Sequence, residues 1–368
     1  MKGRVALFHG PGKPFELTEL EVPEPEAGAV LVRVKQCNIC GSDIHAWEGR
    51  FRLERLGARF PTVLGHEMFG TVAAVGPGVG TDCTGEPLGV GDRVVFPYFF
   101  VCGKCANCLR GRAPACSKLR MAMVGTAAEW PYFIGGFADY FYLPPGHVVF
   151  KVPAGVPDDL VAGANCALAQ VWYGLKRADL RPGETVVVQG AGGLGLYAVA
   201  VARAWDAGRV IVLDGVADRL HLARQFGADY TVNISELPDA AARVKAVEEL
   251  TDGKGADIVV EVVGSAGVIP EGLRFLGQFG RYLEIGTITY GEKVDFEPAR
   301  LVVANKSVIG VSLYEPFVLK DVLGFLARHG KTFPFERLFG TKFGLTQIQT
   351  AFEKARRREV VRASIVMD

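Results

Sequence analysis

A glycine-rich hexapeptide between a predicted strand and a predicted helix constrains the fold of this chain more than any other feature. Thr185–Gln189 is a short, almost wholly apolar run, and Gly190-Ala191-Gly192-Gly193-Leu194-Gly195 follows it and opens an apolar helical pattern. Glycines at this spacing are weak evidence alone, but between a strand and a helix they are typical of a dinucleotide-binding unit. We expect Gly190 to make the tight turn, Gly192 to let a pyrophosphate approach the backbone, and Gly195 to allow close helix–strand packing. The helix N-terminus would offer its N–H groups to the phosphates.

Strands and helices continue to alternate after the glycine run. A helical pattern over Ala217–Phe226 follows the second apolar run. Strands are predicted at Val210–Leu213, Tyr230–Val232, Asp257–Val262, Arg281–Ile285 and Ser307–Val311. With Thr185–Gln189, these make six strands, and right-handed crossovers between them predict a doubly wound parallel sheet.

Asp214 closes the second of these strands, where dinucleotide-binding units place an acidic residue. Its carboxylate would accept hydrogen bonds from the adenosine ribose and would repel a 2′-phosphate, so the sequence favours NAD over NADP. Arg219 weakens that preference, because its guanidinium could reach a phosphate or stack on adenine.

Four of the eight cysteines lie in one short segment, Cys102-Gly-Lys-Cys105-Ala-Asn-Cys108, followed by seven residues and Cys116. Thiols at this spacing can complete a tetrahedral sulfur shell around zinc. An iron–sulfur cluster uses related spacing, but the bacterial ferredoxin pattern ends in Cys-Pro, and Ser117 follows Cys116 here. Four unlinked buried thiols are the other alternative. We predict a structural zinc lobe at about residues 98–117.

A second polar cluster lies nearer the N-terminus. Cys40-Gly41-Ser42-Asp43-Ile44-His45 follows the alternating run Ala29–Lys35, and Gly65-His66-Glu67 comes later. The alternating run predicts a strand, so a thiol, a hydroxyl, a carboxylate and an imidazole emerge at a strand end, where reactive side chains are held firmly but stay accessible. A loop with incidental polar residues is the alternative. Cys166 opens a helical pattern and could be a buried core thiol.

Length and charge exclude several classes of function. A chain of 368 residues exceeds what one hydrophobic core usually serves, which predicts two domains. The net charge of +1 gives no basic stripe, so we expect neither a nucleic-acid partner nor a membrane surface. The N-terminus leads into a strand pattern without an apolar signal region, and no apolar run is long enough to span a membrane. We therefore expect a soluble, cytoplasmic protein.

Strand patterns on both sides of the dinucleotide unit predict a second domain built from both ends of the chain. A helix near Lys320–His329 and a strand over Arg362–Met367 follow the unit, and so late a strand is expected to return to the first domain's sheet. The predicted division is 1–160 with 307–368 for this domain and 161–306 for the dinucleotide domain, with ligands in the cleft between them.

Taken together, these motifs resemble those of zinc-dependent alcohol dehydrogenases of the medium-chain dehydrogenase/reductase superfamily, over essentially the whole chain. The resemblance is carried, in the family's order, by Cys40–His45, Gly65–Glu67, Gly91-Asp92-Arg93-Val94, the four-cysteine segment, Gly136–Tyr140 and Gly190–Gly195. It implies a GroES-like catalytic domain, a Rossmann domain, and two zinc ions, one catalytic and one structural. It also implies hydride transfer between NAD and an alcohol, aldehyde or ketone, in a homodimer or homotetramer.

The resemblance further implies which residues bind the catalytic zinc. Cys40 and His66 are joined by a third ligand shortly before the first Rossmann strand, which leaves one position open for substrate. Polyol and threonine types place a glutamate there, whereas this chain has Cys166, and a one-residue offset would bring Asn165 instead. Glu67 is the carboxylate that can approach the metal during ligand exchange.

A proton relay is the expected role of the remaining side chains of the first motif. Alcohol oxidation releases a proton, and the resemblance implies a path from the substrate oxygen through the Ser42 hydroxyl and the nicotinamide ribose to His45. Asp43 is placed to accept the second ring N–H of His66 or to cap the following helix, and the two roles are compatible.

The substrate is the least determined feature. Six aromatic residues fall near segments that line the cleft in the family and suggest an apolar or aromatic alcohol rather than a polyol: Trp47, Tyr98, Phe99, Trp130, Tyr132 and Phe133. Core packing is an equal alternative for each. The basic segment 50–59 would meet an acidic substrate or form a solvated loop. A zinc-free reductase or a non-catalytic dinucleotide-binding protein is disfavoured, because such lineages usually lose the cysteine ligand, the Gly-His-Glu segment or the four-cysteine lobe.

Overall fold

Two compact units make up the computed structural model, which describes residues 1–367. The first unit comprises Met1–Ala169, Glu315–Gly330 and the chain from Phe335 onward, and the second comprises Gln170–Tyr314 and Lys331–Pro334. Residues 161–169 thus lie in the first unit, although the sequence analysis assigned them to the dinucleotide domain. Residues 307–314 lie in the second unit, although the sequence analysis assigned them to the domain built from both ends of the chain. The domain boundaries stay a prediction. Within residues 1–367, no helix has both the length and the apolar character needed to cross a bilayer.

Strands and helices are distributed unevenly along the chain. The strands are β1 (Lys2–Phe8), β2 (Glu16–Glu21), β3 (Val30–Asn38), β4 (Thr62–Val63), β5 (Glu67–Val75), β6 (Arg93–Val95), β7 (Phe99–Phe100), β8 (Arg120–Met121), β9 (Tyr140–Leu143), β10 (Phe150–Lys151), β11 (Thr185–Gln189), β12 (Arg209–Asp214), β13 (Tyr230–Asn233), β14 (Ala256–Glu261), β15 (Leu276–Glu284), β16 (Ser307–Gly310), β17 (Thr341–Gly344) and β18 (Ala363–Val366). The α-helices are α1 (Gly41–Trp47), α2 (Ala106–Leu109), α3 (Asp158–Val161), α4 (Ala169–Arg177), α5 (Gly193–Ala204), α6 (Ala217–Gln225), α7 (Ala240–Leu250), α8 (Ile269–Phe275), α9 (Ala299–Val303), α10 (Val318–His329) and α11 (Ile348–Arg356). Short 3₁₀ helices lie at Leu53–Leu56, Ala113–Ala115, Ala266–Val268, Phe335–Phe339 and Leu345–Gln347, and a π-helix lies at Ala164–Leu168.

β3 is the central strand of the first unit. It pairs antiparallel with β5, β9 and β18 in a seven-stranded sheet ordered β10-β6-β5-β3-β18-β17, with β9 on β3. The late strand predicted near the C-terminus is confirmed as β18, which returns to this sheet. Asn38 at the end of β3 lies opposite Glu67 at the start of β5. Because these strand ends are neighbours, the sheet brings the two polar motifs that flank them together.

The second unit is built on one parallel sheet of six strands. Their order is β13-β12-β11-β14-β15-β16, and every neighbouring pair is parallel. The central strands are almost entirely buried, because helices cover both faces of such a sheet, and Val187, Ile211 and Val259 belong to the core. The predicted fold class, a GroES-like β-rich domain plus a doubly wound Rossmann sheet, is confirmed.

Candidate active site

Three candidate metal ligands converge in the first unit from three separate elements. Cys40 precedes α1, His66 precedes β5, and Cys166 is the middle residue of the π-helix. One donor atom from each lies within 4.8 Å of the other two. His66 and Cys166 are buried. Two sulfurs and an imidazole at this spacing fit a tetrahedral zinc ion with one position left for a substrate.

The thiols are electrostatically suited to binding a cation. A hydrogen bond from Cys166, assisted by His66, holds the pKa of Cys40 well below its usual range although burial opposes this. The same hydrogen bond and burial raise the pKa of Cys166 well above it. One thiolate is therefore favoured even without a metal, and the thiolate is the form of cysteine that binds metals.

Asp43 connects the start of α1 to His66. Its Oδ2 accepts the Cys40 N–H at 2.9 Å, and its Oδ1 accepts the Gly65 N–H at 3.2 Å and lies 3.3 Å from His66 Nδ1. The two roles expected for Asp43, at the helix start and beside the imidazole, therefore coexist. Since Nδ1 faces Asp43, Nε2 is the nitrogen left for a metal.

Ser42 and His45 lie on one face of α1, three residues apart. The Ser42 Oγ lies 3.4 Å from His66 Nε2, so the hydroxyl borders the candidate metal position. Both side chains are partly exposed. The relay through these two residues also needs a bound cofactor, and it stays a prediction.

Glu67 lies in a buried polar network outside the group of three donors. Its carboxylate pairs with the Arg362 guanidinium and accepts a hydrogen bond from Asn38 Nδ2 at 2.7 Å. Burial raises the pKa of Glu67 to about 7, against the charge of Arg362, which lowers it. Asn38 Oδ1 in turn accepts hydrogen bonds from Ser364 Oγ and Gln36 Nε2. Sequence reasoning missed Asn38 and Arg362; the only local signal was that Asn38 is a polar residue between Cys37 and Cys40, at the end of β3.

Asn165, the alternative third ligand, is turned away from the donor group. Its Oδ1 accepts the Met68 N–H at 3.0 Å, and its Nδ2 donates to the carbonyls of His66 at 2.9 Å and Phe96 at 3.1 Å. Cys166, not Asn165, therefore faces Cys40 and His66.

The four clustered cysteines form a second donor group, in a loop that contains α2. The Sγ of Cys116 lies 3.5 Å from that of Cys102, and the Sγ of Cys105 lies 3.6 Å from that of Cys108 and 3.9 Å from that of Cys116. Sulfur atoms bound to one tetrahedral zinc are about 3.8 Å apart, so this group fits a structural zinc ion. The Cys108 N–H is the leading cause that lowers the pKa of Cys105 to about 5.

The glycine run of the second unit has the backbone geometry expected for a dinucleotide cradle. Gly190 has φ of +100°, and a Cβ at Gly195 would collide with the Gly190 carbonyl. Gly192 precedes α5, which begins at Gly193 and Leu194, and a Cβ at Gly192 would meet no atom within 4 Å. The backbone therefore borders open space at the start of a helix, and this fits a pyrophosphate.

Asp214 is engaged by the backbone of this cradle. Its Oδ2 accepts the Ala191 N–H at 2.8 Å and its Oδ1 accepts the Val216 N–H at 2.9 Å. The side chain thus anchors the glycine loop, a role that sequence reasoning missed, and each oxygen retains a lone pair for a ribose hydroxyl. Arg219 lies in the first turn of α6 and is half-buried.

Of the six aromatic residues, Tyr98 lies beside a candidate ligand: its ring centroid is 4.8 Å from that of His66. Phe99 and Phe133 have no exposed surface and belong to the core, so they do not line a pocket. Trp47 packs on Phe352, and Trp130 is largely exposed and packs on Tyr142, whereas Tyr132 is a half-buried residue with φ of +62°. In the basic segment, Arg50 pairs with Glu48 and Arg59 with Glu129.

Comparison with known proteins identifies the family. Residues 26–154 match the family described as alcohol dehydrogenase GroES-like domain, and residues 193–328 match zinc-binding dehydrogenase. The chain is 31% identical over 340 residues to 5-exo-hydroxycamphor dehydrogenase of Pseudomonas putida, covering 92% of this chain and 91% of that one. It is 31% identical over 378 residues to erythritol/L-threitol dehydrogenase of Mycolicibacterium smegmatis, covering 99% and 98%.

Solved structures agree with this assignment. An alcohol dehydrogenase from Thermotoga maritima superposes with a TM-score of 0.92 at 28% identity, covering 100% of both chains. A zinc-binding dehydrogenase from Sinorhizobium meliloti, bound to NADP, superposes with a TM-score of 0.84 at 25% identity, covering 100% of this chain and 99% of that one. The chain belongs to the zinc-dependent, medium-chain alcohol dehydrogenase family, and it is an oxidoreductase of that family.

Proposed function

We propose that the protein is an NAD-dependent zinc dehydrogenase that interconverts an apolar or aromatic alcohol with its aldehyde or ketone. The observation that carries this proposal is the convergence of Cys40, His66 and Cys166 on one point in the first unit. Three protein donors leave a fourth position for a substrate oxygen. A second zinc would bind Cys102, Cys105, Cys108 and Cys116 and stabilise the fold.

The residues around the three donors would divide the work of catalysis. When bound, zinc polarises the alcohol oxygen and the nicotinamide ring accepts the hydride. Ser42, 3.4 Å from His66 Nε2, would accept the alcohol proton and pass it toward His45. Asp43 would keep His66 oriented through Nδ1. Glu67 is held by Asn38 and Arg362 and would have to leave these partners to approach the metal during ligand exchange.

Asp214 supports NAD as the cofactor in this proposal. It lies at the end of β12 and binds the glycine loop, so its charge would face the adenosine ribose and repel a 2′-phosphate. The NADP-bound relative is the observation that favours NADP, and it makes the cofactor a necessary part of any test.

The substrate class rests on the surroundings of His66. The Tyr98 ring lies beside the imidazole, tilted from it by 56°, and would present an aromatic surface to a substrate. The hydroxycamphor relative favours an apolar alcohol, whereas the erythritol/L-threitol relative favours a polyol. Because the third donor is Cys166 rather than a glutamate, we place the polyol second.

An activity panel tests this proposal. The zinc-loaded enzyme is assayed with primary, secondary, aromatic and polyol alcohols, each with NAD⁺ and NADP⁺. We expect the highest kcat/KM for an apolar or aromatic alcohol with NAD⁺, and at least a 100-fold loss for Ser42→Ala at unchanged zinc content. A polyol as the best substrate supports the alternative, and zinc-bound protein without dehydrogenase activity on any alcohol contradicts the proposal.

We also propose a homodimer or homotetramer. β16 is the last strand of the parallel sheet, so among residues 1–367 one of its edges has no neighbouring strand. Large apolar side chains near that edge are exposed: Phe279, Val302, Val303 and Val308. An uncovered edge with apolar surface favours association. Light scattering is expected to give a dimer or tetramer mass, and a monomer at micromolar concentration would contradict this.

A further inference from the structure

We propose that Asn165 is a positioning residue of the metal site, which fixes the distance between the third ligand and His66 by binding the backbone on both sides of Glu67. The inference rests on the proposed function, because it presumes that Cys40, His66 and Cys166 bind zinc. It concerns how firmly the ion is held.

Three hydrogen bonds of the Asn165 side chain go to backbone groups near the ligands. Nδ2 donates to the carbonyl of His66, itself a ligand, and Oδ1 accepts the N–H of Met68, two residues further on. Nδ2 also donates to the carbonyl of Phe96, two residues before Tyr98. One side chain thus joins the π-helix to β5 and to the segment that carries the aromatic neighbour of His66. Asn165 has no exposed surface, so water cannot replace these contacts.

The π-helix allows adjacent residues to serve different partners. The Leu168 N–H bonds the Gly163 carbonyl, five residues back, so the turn around Asn165 and Cys166 is wider than an α-turn. Consecutive residues point about 100° apart in an α-helix and somewhat less in a wider turn, so two neighbouring side chains still point in different directions. Cys166 can therefore face Cys40 and His66 while Asn165 faces the backbone of His66 and Met68. A displacement of the Asn165 backbone relative to His66 would therefore also move Cys166, the next residue and the third ligand.

Loss of these contacts is expected to loosen the site before it disturbs the fold. Supporting side chains around metal ligands typically change metal affinity by about 10- to 100-fold. The three donors come from separate elements, so their convergence depends on links between those elements. The four-cysteine group has its own backbone hydrogen bonds and is an internal reference for zinc release.

The experiment compares zinc release from purified holoenzyme to a chromogenic chelator. The variants are Asn165→Leu, which keeps the branched shape of the side chain and removes all of its hydrogen bonds, and Asn165→Ser, which leaves one hydroxyl. Thr251→Val is the matched control, because the buried Thr251 hydroxyl also makes three backbone contacts, to Val247, Glu248 and Gly255 in the second unit. We expect one of the two zinc ions to leave about 10- to 100-fold faster in both Asn165 variants. The other ion, and both ions of Thr251→Val, should leave at the wild-type rate.

A spectroscopic measurement separates positioning from general destabilisation. In enzyme with cobalt in place of zinc, both Asn165 variants should shift the thiolate-to-cobalt absorption, and Thr251→Val should not. Wild-type release rates and spectra in folded Asn165→Leu or Asn165→Ser overturn the inference while the proposed function stands. Wild type with no zinc at Cys40, His66 and Cys166 overturns the proposed function itself. If Asn165→Leu fails to fold, Asn165→Ser decides.

Discussion

At the scale of single residues, Asp214 has two roles, and any substitution at this position affects both. It anchors the glycine loop through the N–H groups of Ala191 and Val216, and it carries the charge proposed to exclude a 2′-phosphate. Asp214→Ser should therefore weaken NAD⁺ binding, because the loop is loosened and the acceptor for the ribose hydroxyls is lost. For NADP⁺, the loss of the repulsion between Asp214 and the 2′-phosphate should offset the loosened loop. We expect the NAD⁺/NADP⁺ ratio of kcat/KM to fall about tenfold or more, equivalent to about 1.4 kcal/mol.

The measurement is steady-state kinetics with one alcohol and both cofactors. Asp218→Ser is the matched control, because Asp218 is an exposed acid in the first turn of α6. It should leave the ratio nearly unchanged. A tenfold preference of the wild type for NADP⁺ would show that the role proposed for Asp214 is wrong.

At the scale of elements, the ends of β14 and β15 bring two carboxylates together. Glu261 and Glu284 are register partners on these adjacent strands. Glu261 Oε1 accepts the N–H groups of Val263 and Gly264 at 2.6 and 2.8 Å, and Glu284 Oε1 accepts that of Thr287 at 2.9 Å. Burial, and then the neighbouring Glu261, raise the pKa of Glu284 to about 8. The folded unit therefore favours a protonated Glu284 at neutral pH.

This pair makes stability depend on pH with a definite sign. An unfolded glutamate titrates near its ordinary value of about 4.3, whereas the folded Glu284 titrates at about 8. Between these values the folded state holds the extra proton, so the free energy of unfolding should fall as pH rises through this window. Because Glu284 is only half-buried, solvent screens its charge, and we expect the free energy of unfolding to fall by about 1–2 kcal/mol across this window. Glu284→Gln should remove this part of the slope.

Thermal unfolding of wild type and variant at pH 6, 7, 8 and 9 measures the difference. Subtracting the two profiles cancels the metal ligands and other shared groups. Glu248→Gln, at an exposed position on α7, is the control and should give a profile parallel to wild type. Parallel profiles for Glu284→Gln and wild type would contradict the assignment.

At the scale of the whole molecule, we expect the group of Cys40, His66 and Cys166 to serve catalysis and the four-cysteine group to stabilise the fold. Cys166→Ser should lower the zinc content from two ions to one per chain and abolish most activity, because the catalytic donor set is incomplete. Its melting temperature should stay near wild type. Cys105→Ser should also lose one zinc, but it should lower the melting temperature by about 5 °C or more, because structural zinc contributes folding energy.

Metal analysis, activity and thermal unfolding on the same preparations test this distinction. The four-cysteine loop is tied to the rest of the first unit where Glu315 accepts the Ala113 N–H at 2.8 Å, so its loosening should spread into that unit. Full activity and two zinc ions in Cys166→Ser would place the third ligand elsewhere, with Glu67 the first residue to examine.

The sequence by itself predicted the features that depend on short-range spacing. The strand, glycine turn and helix around Gly190 follow from residues that are close in the chain, and so does the grouping of Cys102, Cys105, Cys108 and Cys116. The six strands of the parallel sheet were predicted because short strand runs alternate with helical patterns, and the central runs, such as Val186–Val188 and Val210–Val212, are wholly apolar and buried. The resemblance between the ordered motifs and the dehydrogenase family is confirmed by the family matches.

Only the tertiary structure decided which residues face one another across the sheets. Arg362 and Glu67 are 295 positions apart, and they meet because β18 and β5 both pair with β3. The identity of the third ligand also became clear only in the structure. In the π-helix, Cys166 points toward Cys40 and His66, whereas Asn165 points toward the backbone of His66. Local spacing fixes a turn or a cysteine loop, whereas a buried partner is fixed by strand pairing between distant segments, which no local pattern records.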